Sequence, residues 1–246
     1  MGECLFYSDG KIGAAMNQSS MRKKTLTEYR AVIFDLDGTL YYQKPFKIRM
    51  LFYLLWHMLR HPSAIGDMLL IKRYREIREK WEECERTMSF PADMLLEDRQ
   101  YEFVAAQKKV TVSRVADAVR FYMHEAPLAL LPYYKDTMLS DAIEKLRRKN
   151  VPVVIYSDYP VEEKLRALGI EADWHFTSSD KNINCMKPDP KGLQVILATL
   201  GLQAEDVIMV GDRYEKDGLA ANGNRMDYLI VSSSKKEREK LTDILT

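Results

Sequence analysis

Short runs of apolar residues punctuate the chain at Ala31-Val32-Ile33-Phe34, Val153-Val154-Ile155-Tyr156, Val207-Ile208-Met209-Val210 and Tyr228-Leu229-Ile230-Val231. Each is brief, rich in β-branched residues and free of charge, the pattern of a strand buried on both faces. Trp174 to Ser178 reads as a further strand. Between these runs the spacing changes to a helical one. Asp141 to Asn150 carries Ile143 and Leu146 on one side, with Pro152 ending the stretch, and Val161 to Leu168 and Lys191 to Leu200 follow the same period. Strands alternating with helices predict an α/β fold, a Rossmann-like parallel sheet with helices on both faces. Lys235 to Leu245 closes the chain, and its alternating charges predict a helix with a solvated face.

Residues 45–132 interrupt that alternation. No strongly β-like run occurs there, and the spacing predicts helices over Phe46 to Arg60, Ala64 to Glu85, Ala92 to Lys108 and Ser113 to Glu125, with Pro62, Pro91 and Pro127 at their ends. Ser113 stands before Val115, Ala118, Val119 and Tyr122 and is the expected N-cap. An all-helical insertion over 45–132 therefore divides a core formed by 30–44 and 133–246. Met50 to Leu59 is apolar nearly all round, yet far shorter than the roughly 18 to 20 residues that cross a bilayer. A buried helix of the insert or the wall of a pocket is the expected role. A helix lying on anionic lipid is the alternative, and Lys44, Lys47, Arg49, Arg60, Lys72, Arg73, Arg75 and Arg78 make its neighbourhood basic.

The 246 residues, 46% hydrophobic and 30% charged, suffice for one large core with an insert. A net charge of +1 without a long basic, aromatic-laced stripe argues against nucleic acid as a partner. Cys4, Cys84 and Cys185 are odd in number and far apart, which suits reduced thiols and a cytoplasmic location. Residues 1–29 lack periodicity and a signal-peptide core, so a mobile tail is expected there, with the first twenty residues dispensable for folding. His57 and His61 lie one helical turn apart without a third ligand nearby. They are expected to be structural, as are the isolated His124 and His175.

Candidate chemistry concentrates at the ends of the apolar runs. Asp35-Leu36-Asp37-Gly38-Thr39 follows the first, and residues two apart on an extended chain point the same way. Two carboxylates about 4 Å apart repel by on the order of 4 kcal/mol at an effective dielectric near 20, so the pair needs a cation, a proton or both. Ser157 ends the second run, where it serves either a bound ligand or the cap of the next helix. Lys187 precedes Pro188-Asp189-Pro190, and the prolines hold its flanking backbone extended. Gly211-Asp212-Arg213-Tyr214-Glu215-Lys216-Asp217 follows the fourth strand.

In this order the motifs resemble those of the haloacid dehalogenase-like hydrolase superfamily, in the phosphatase branch with a helical cap of the C1 type inserted between the first two motifs. The resemblance covers nearly all the chain outside the tail and the insert. It departs from the family at Arg213, where many relatives have Ser, and at Pro132-Tyr133-Tyr134-Lys135-Asp136, where many have a Pro-Gly turn. It implies Asp35 as nucleophile, Asp37 as acid and base, and Ser157 and Lys187 as phosphate-binding residues. It further implies magnesium held by Asp35, Asp37 and Asp212, with Asp217 acting indirectly on a metal-bound water or on Lys187. Asp37 argues against a dehalogenase, whose branch lacks that acid. The implied function is a magnesium-dependent phosphatase acting on a small phosphorylated metabolite through an aspartyl phosphate. A sugar phosphomutase uses the same residues, and a non-catalytic or membrane-surface protein that keeps the fold is the remaining alternative.

Overall fold

The computed structural model describes residues 15–16, 24–241 and 245. Its centre is a sheet of order β1-β6-β5-β2-β3-β4. The strands are β1 (Ala15–Met16), β2 (Ala31–Phe34), β3 (Val153–Ser157), β4 (Trp174–Thr177), β5 (Val207–Gly211) and β6 (Asp227–Ile230). All neighbours are parallel except β1, which pairs antiparallel with β6 at the edge. The central strands β5, β2 and β3 are buried along their whole length, as their uncharged sequences require.

Alternation along each strand divides the core in two. Val32, Phe34, Val153, Ile155, Ile208 and Val210 face one side, where α6 (Thr137–Arg148) brings Leu139, Ile143 and Leu146. Ile33, Val154, Tyr156, Val207 and Met209 face the other, against Leu193 and Ile196 of α8 (Lys191–Leu200) and Ala220 and Ala221 of α9 (Leu219–Gly223). A third apolar cluster, drawn from residues between Ala64 and Tyr122, belongs to the insert. It joins α2 (Ala64–Glu79), α4 (Leu96–Lys108) and α5 (Val112–Val119) through Tyr74, Ile77, Phe103, Val104, Val115 and Val119. The remaining long helix, α1 (Gln43–Arg60), sends Phe46 and Met50 into the core beside the sheet.

Several expectations are corrected. The long second helix ends at Glu79, and a separate α3 (Trp81–Glu85) follows Lys80, whose φ and ψ of −120° and 30° break the helical path. Thr111, not Ser113, caps α5, accepting from the Arg114 amide. From Arg120 to Glu125 that helix continues with a wider, π-type turn. Helix α6 begins at Thr137 because the Asp136 carboxylate caps it, accepting from the Leu139 amide at 3.0 Å. The tail is packed from Thr25 onward, with Leu26 and Tyr29 buried in the core, and Ala15–Met16 forms an edge strand.

The closing segment is also not merely solvated. After α7 (Glu162–Leu168) and the strands above, α10 (Lys235–Arg238) carries a fully buried Arg238. Its guanidinium pairs with Asp136 at 2.7 Å and donates to the Gly38 and Thr39 carbonyls. Cys4 and most of residues 1–23 lie outside the described residues.

Candidate active site

Strand β2 delivers Asp35 to the carboxyl end of the sheet, where its amide donates to the Val210 carbonyl at 2.8 Å. The chain then turns at Gly38, whose φ of +106° excludes ordinary side chains. A Cβ at Gly38 would lie 2.2 Å from Asp212 Oδ2, so the glycine also lets the two loops meet. Thr39 Oγ1 donates back to Asp35 Oδ2 at 3.0 Å.

On the next strand, β5 runs out through Gly211 to Asp212, and a π-type turn over Tyr214–Gly218 brings Asp217 back beneath it. The Arg213 amide fixes Asp217 Oδ2 at 3.2 Å. Lys187 enters from the far side, its amide held by Asp158 Oδ1 at 3.1 Å. Its Nζ lies 2.6 Å from Asp35 Oδ1 and 2.6 Å from Asp217 Oδ1, and 3.3 Å from the Tyr156 carbonyl.

Asp35, Asp212 and Asp217 bring carboxylate oxygens within 4.8 Å of one another. Burial, and then the charges of Asp217 and Asp212, push the Asp35 carboxyl well above the usual range against the pull of Lys187. Asp212 is pushed up to about 6, by burial and by Asp217. Burial works against the Lys187 charge, but Asp217 and Asp35 outweigh it and raise its pKa well above the ordinary value. No described residue donates a hydrogen bond to the Asp212 carboxylate. Three hard oxygen donors, one of them without a hydrogen-bond donor among the described residues and only one ammonium between them, fit a hard divalent cation.

The Asp37 side chain lies apart from this cluster. Its carboxylate is turned to Lys164 on α7, whose Nζ lies 2.6 Å from Oδ1 and 2.8 Å from Oδ2. Tyr41 donates to Oδ1 at 2.7 Å and Ser157 to Oδ2 at 3.3 Å. Burial alone would raise the Asp37 pKa, but the Lys164 charge and these hydrogen bonds hold it below the usual carboxylate range. The carboxylates that lie together are thus those of Asp35, Asp212 and Asp217, while the Asp37 side chain is engaged by Lys164. Ser157 Oγ also accepts from the Tyr159 amide at 3.1 Å, and α7 starts only later, at Glu162 after Val161, so Ser157 is not its cap.

All six residues singled out in the sequence, Asp35, Asp37, Ser157, Lys187, Asp212 and Asp217, line one cavity of about 600 Å³. The insert covers it: Phe46, Lys47, Met50 and Leu54 of α1 and Ile71 and Arg75 of α2 form much of its wall. Arg78 ties insert to core. It is buried, donates to Gln100 Oε1, the Tyr74 hydroxyl and the Asp158 carbonyl, and lies 4.2 Å over the Tyr159 ring.

Lys164 and Arg78 were not foreseen as site residues, although each had a signal. Lys164 shares the inward stripe of Val161, Leu165 and Leu168, and Arg78 the stripe of Ile71 and Tyr74, positions where a cation needs a buried partner. The histidines take no part in the acid cluster. The rings of His57 and His61 lie 4.7 Å apart at a tilt of 39°, His175 meets Glu162 at the surface, and the His124 pKa is pushed down to about 4 by burial and by Lys164 and Arg78.

A doubly wound sheet with two acids after β2 and a Lys and two acids after later strands is the arrangement of a hydrolase of the haloacid dehalogenase-like class. The family model for haloacid dehalogenase-like hydrolases matches residues 29–223, and the chain belongs to that family. Among curated relatives, the glyceraldehyde 3-phosphate phosphatase of Methanopyrus kandleri is 29% identical over 196 residues, 78% of this chain and 79% of that one. Among solved structures, the hydrolase YfnB from Bacillus subtilis bound to magnesium superposes with a TM-score of 0.57 at 14% identity, covering 88% of this chain and all of that one. The 2-haloacid dehalogenase from Pseudomonas syringae pv. Tomato gives 0.55 at 16% identity, over 80% of this chain and 84% of that one. At such identities the structural likeness speaks for the fold alone.

Proposed function

We propose that the protein is a magnesium-dependent phosphatase that hydrolyses a small phosphorylated metabolite through an aspartyl phosphate on Asp35. The observation that carries this reading is the meeting of Asp35 and Lys187 at 2.6 Å beside Asp212, with a second acid, Asp37, held separately in the same cavity. The similarity to a phosphatase from Methanopyrus kandleri supports the same chemistry.

A phosphate monoester brings close to two negative charges to a site already rich in acids. Asp35 and Asp212 would hold a magnesium ion, which would supply positive charge to offset that of the phosphate. Lys187 supplies a further positive charge where the dianion meets the nucleophile. An Asp35 oxygen attacks phosphorus as the ester P–O bond breaks, and the leaving oxygen takes a proton from Asp37. Water then attacks the phosphorus of the mixed anhydride, Asp37 takes the water proton, and Asp35 is released with inorganic phosphate.

In the free site Lys164 keeps Asp37 ionised, which is the form needed for the water step. The acid step needs a proton on Asp37, and the substrate provides for it: a phosphate dianion competes for Lys164 and adds negative charge nearby, both of which raise the Asp37 pKa. Cys84 and Cys185 are unpaired thiols, which supports a reducing compartment such as the cytoplasm.

The test is phosphate release from a panel of phosphorylated metabolites with magnesium, with Asp35→Asn alongside. Release that requires both magnesium and Asp35 is expected. Transfer of the phosphoryl group to a second hydroxyl of a sugar phosphate, without release, would instead identify a mutase.

A further inference from the structure

Helix α1 is apolar on two sides, and only one of them is covered. Phe46 and Met50 are buried and Leu54 faces the cavity, while Ile48, Leu51, Phe52, Leu55, Trp56 and Leu59 are exposed. The exposure is large for such residues: 61% for Phe52 and 83% for Leu59. At about 100° per residue these six side chains fall within an arc of roughly 140°, centred opposite the buried side. On the adjoining α2, Ile65 and Leu69 are exposed as well. Isolated exposed leucines are ordinary, but a contiguous stripe of this size on a water-soluble surface marks an interaction site.

Charge identifies the partner. Helix α1 contains no acid, and its cations edge the apolar arc: Lys47 lies beyond one border, Arg49 and Arg60 beyond the other, and Lys44 one turn before Ile48 at the amino end of the arc. None of the four forms an ion pair with a described residue. The Arg60 guanidinium lies 4.0 Å above the exposed Trp56 ring. An apolar stripe edged by unpaired Lys and Arg, with an Arg-covered Trp at its border, is the arrangement of a helix lying in a lipid interface. There the side chains of the arc enter the acyl boundary and the cations reach to anionic headgroups. A second copy of the same face is a poorer fit. A two-fold contact would bring these cations together without an acid on either α1 to meet them.

We propose that the outer face of α1 docks on an anionic lipid bilayer, with α1 lying along the surface. No helix among the described residues is long and apolar enough to cross one. Leu51 and Lys47 belong to the rim of the active-site cavity, so docking sets the mouth of that cavity beside the lipid.

Flotation of the full chain with vesicles tests this. One set is phosphatidylcholine alone and the other contains about a third phosphatidylglycerol. The chain is expected to float with the anionic vesicles, to be released by salt, and to show a blue shift of Trp56 emission on binding. The double substitution Phe52→Asp and Leu59→Asp should reduce binding at least tenfold while leaving its thermal melt and its activity on a soluble phosphate ester unchanged. Absence of flotation with the native chain would overturn the proposal, and so would flotation that the double substitution does not alter. Equally, a native dimer in sedimentation that the same substitutions convert to monomer, without lipid binding, would assign the face to a second copy.

Discussion

Lys187 Nζ stands 2.6 Å from Asp35 Oδ1, and both side chains are buried, so the nucleophile is held by an ammonium that itself has almost no access to water. The same ammonium bridges to Asp217 at 2.6 Å, which fixes its position and shares its charge between two acids. Lys187→Met removes the ammonium that pairs with Asp35 and Asp217. It should lower kcat by roughly 100- to 1000-fold, the usual loss when a preorganised charge at a developing anion is deleted. Steady-state kinetics with the Lys187→Arg variant alongside checks the claim, and a fall in substrate affinity alone would contradict it.

Asp37 is governed by Lys164 in the same way. Asp37→Asn should slow hydrolysis of an alkyl phosphate by roughly 100- to 10,000-fold, yet slow an activated aryl phosphate far less, because that leaving group needs no proton. Equal losses on both substrates would count against the acid role. Lys164→Met takes away the charge that holds the Asp37 pKa down, while burial still pushes it up. Any limb of the pH–rate profile set by Asp37 therefore moves to higher pH, and an unmoved profile would separate Lys164 from the chemistry.

Arg238 links the end of the chain to the catalytic loop. Its pair with Asp136 is fully buried, and the same guanidinium donates to the carbonyls of Gly38 and Thr39, directly after Asp37. Arg238→Met leaves Asp136 as an unpaired buried acid and should cost about 3 to 5 kcal/mol of stability, read from urea denaturation. A loss under about 1 kcal/mol would place the pair among the weakly contributing ion pairs.

His124 makes stability depend on pH. Its ring Nε2 is buried without a partner, and its pKa is pushed down to about 4, first by burial and then by Lys164 and Arg78. An unfolded chain binds a proton at this ring near pH 6.5, whereas the folded chain refuses it until about pH 4. Between these values the unfolded state holds more protons, so stability falls as pH is lowered through the window and is regained as pH rises. The His124→Phe variant should show a shallower fall in melting temperature over that range, while a slope identical to that of the native chain would contradict the assignment.

The sheet and the acid cluster were legible because their signals are local. An uncharged run ending in Asp35 or Asp212 states both the burial of the strand and the opening of its end onto a polar site. Gly38 and Gly211 mark the close approaches that bring the loops together. Long-range pairings were less legible. The spacing of Asp35 and Asp37 gives no sign that Lys164, far along the chain, engages the Asp37 carboxylate, and Lys235 to Leu245 reads as a solvated helix until Arg238 is seen to fill the space behind Gly38. In each case a charged residue within an apolar stripe held the information, but its partner is set by tertiary contact. Helix boundaries failed for a related reason: Thr111 and Asp136 cap helices through side-chain bonds that spacing alone assigns less surely than apolar period.

The most direct measurement is release of inorganic phosphate by the native chain and by Asp35→Asn, each with magnesium and with a chelator. The account predicts turnover of at least one phosphorylated metabolite by the native chain with magnesium, and none by Asp35→Asn or in the chelator. Turnover by a folded Asp35→Asn variant at the native rate would contradict it.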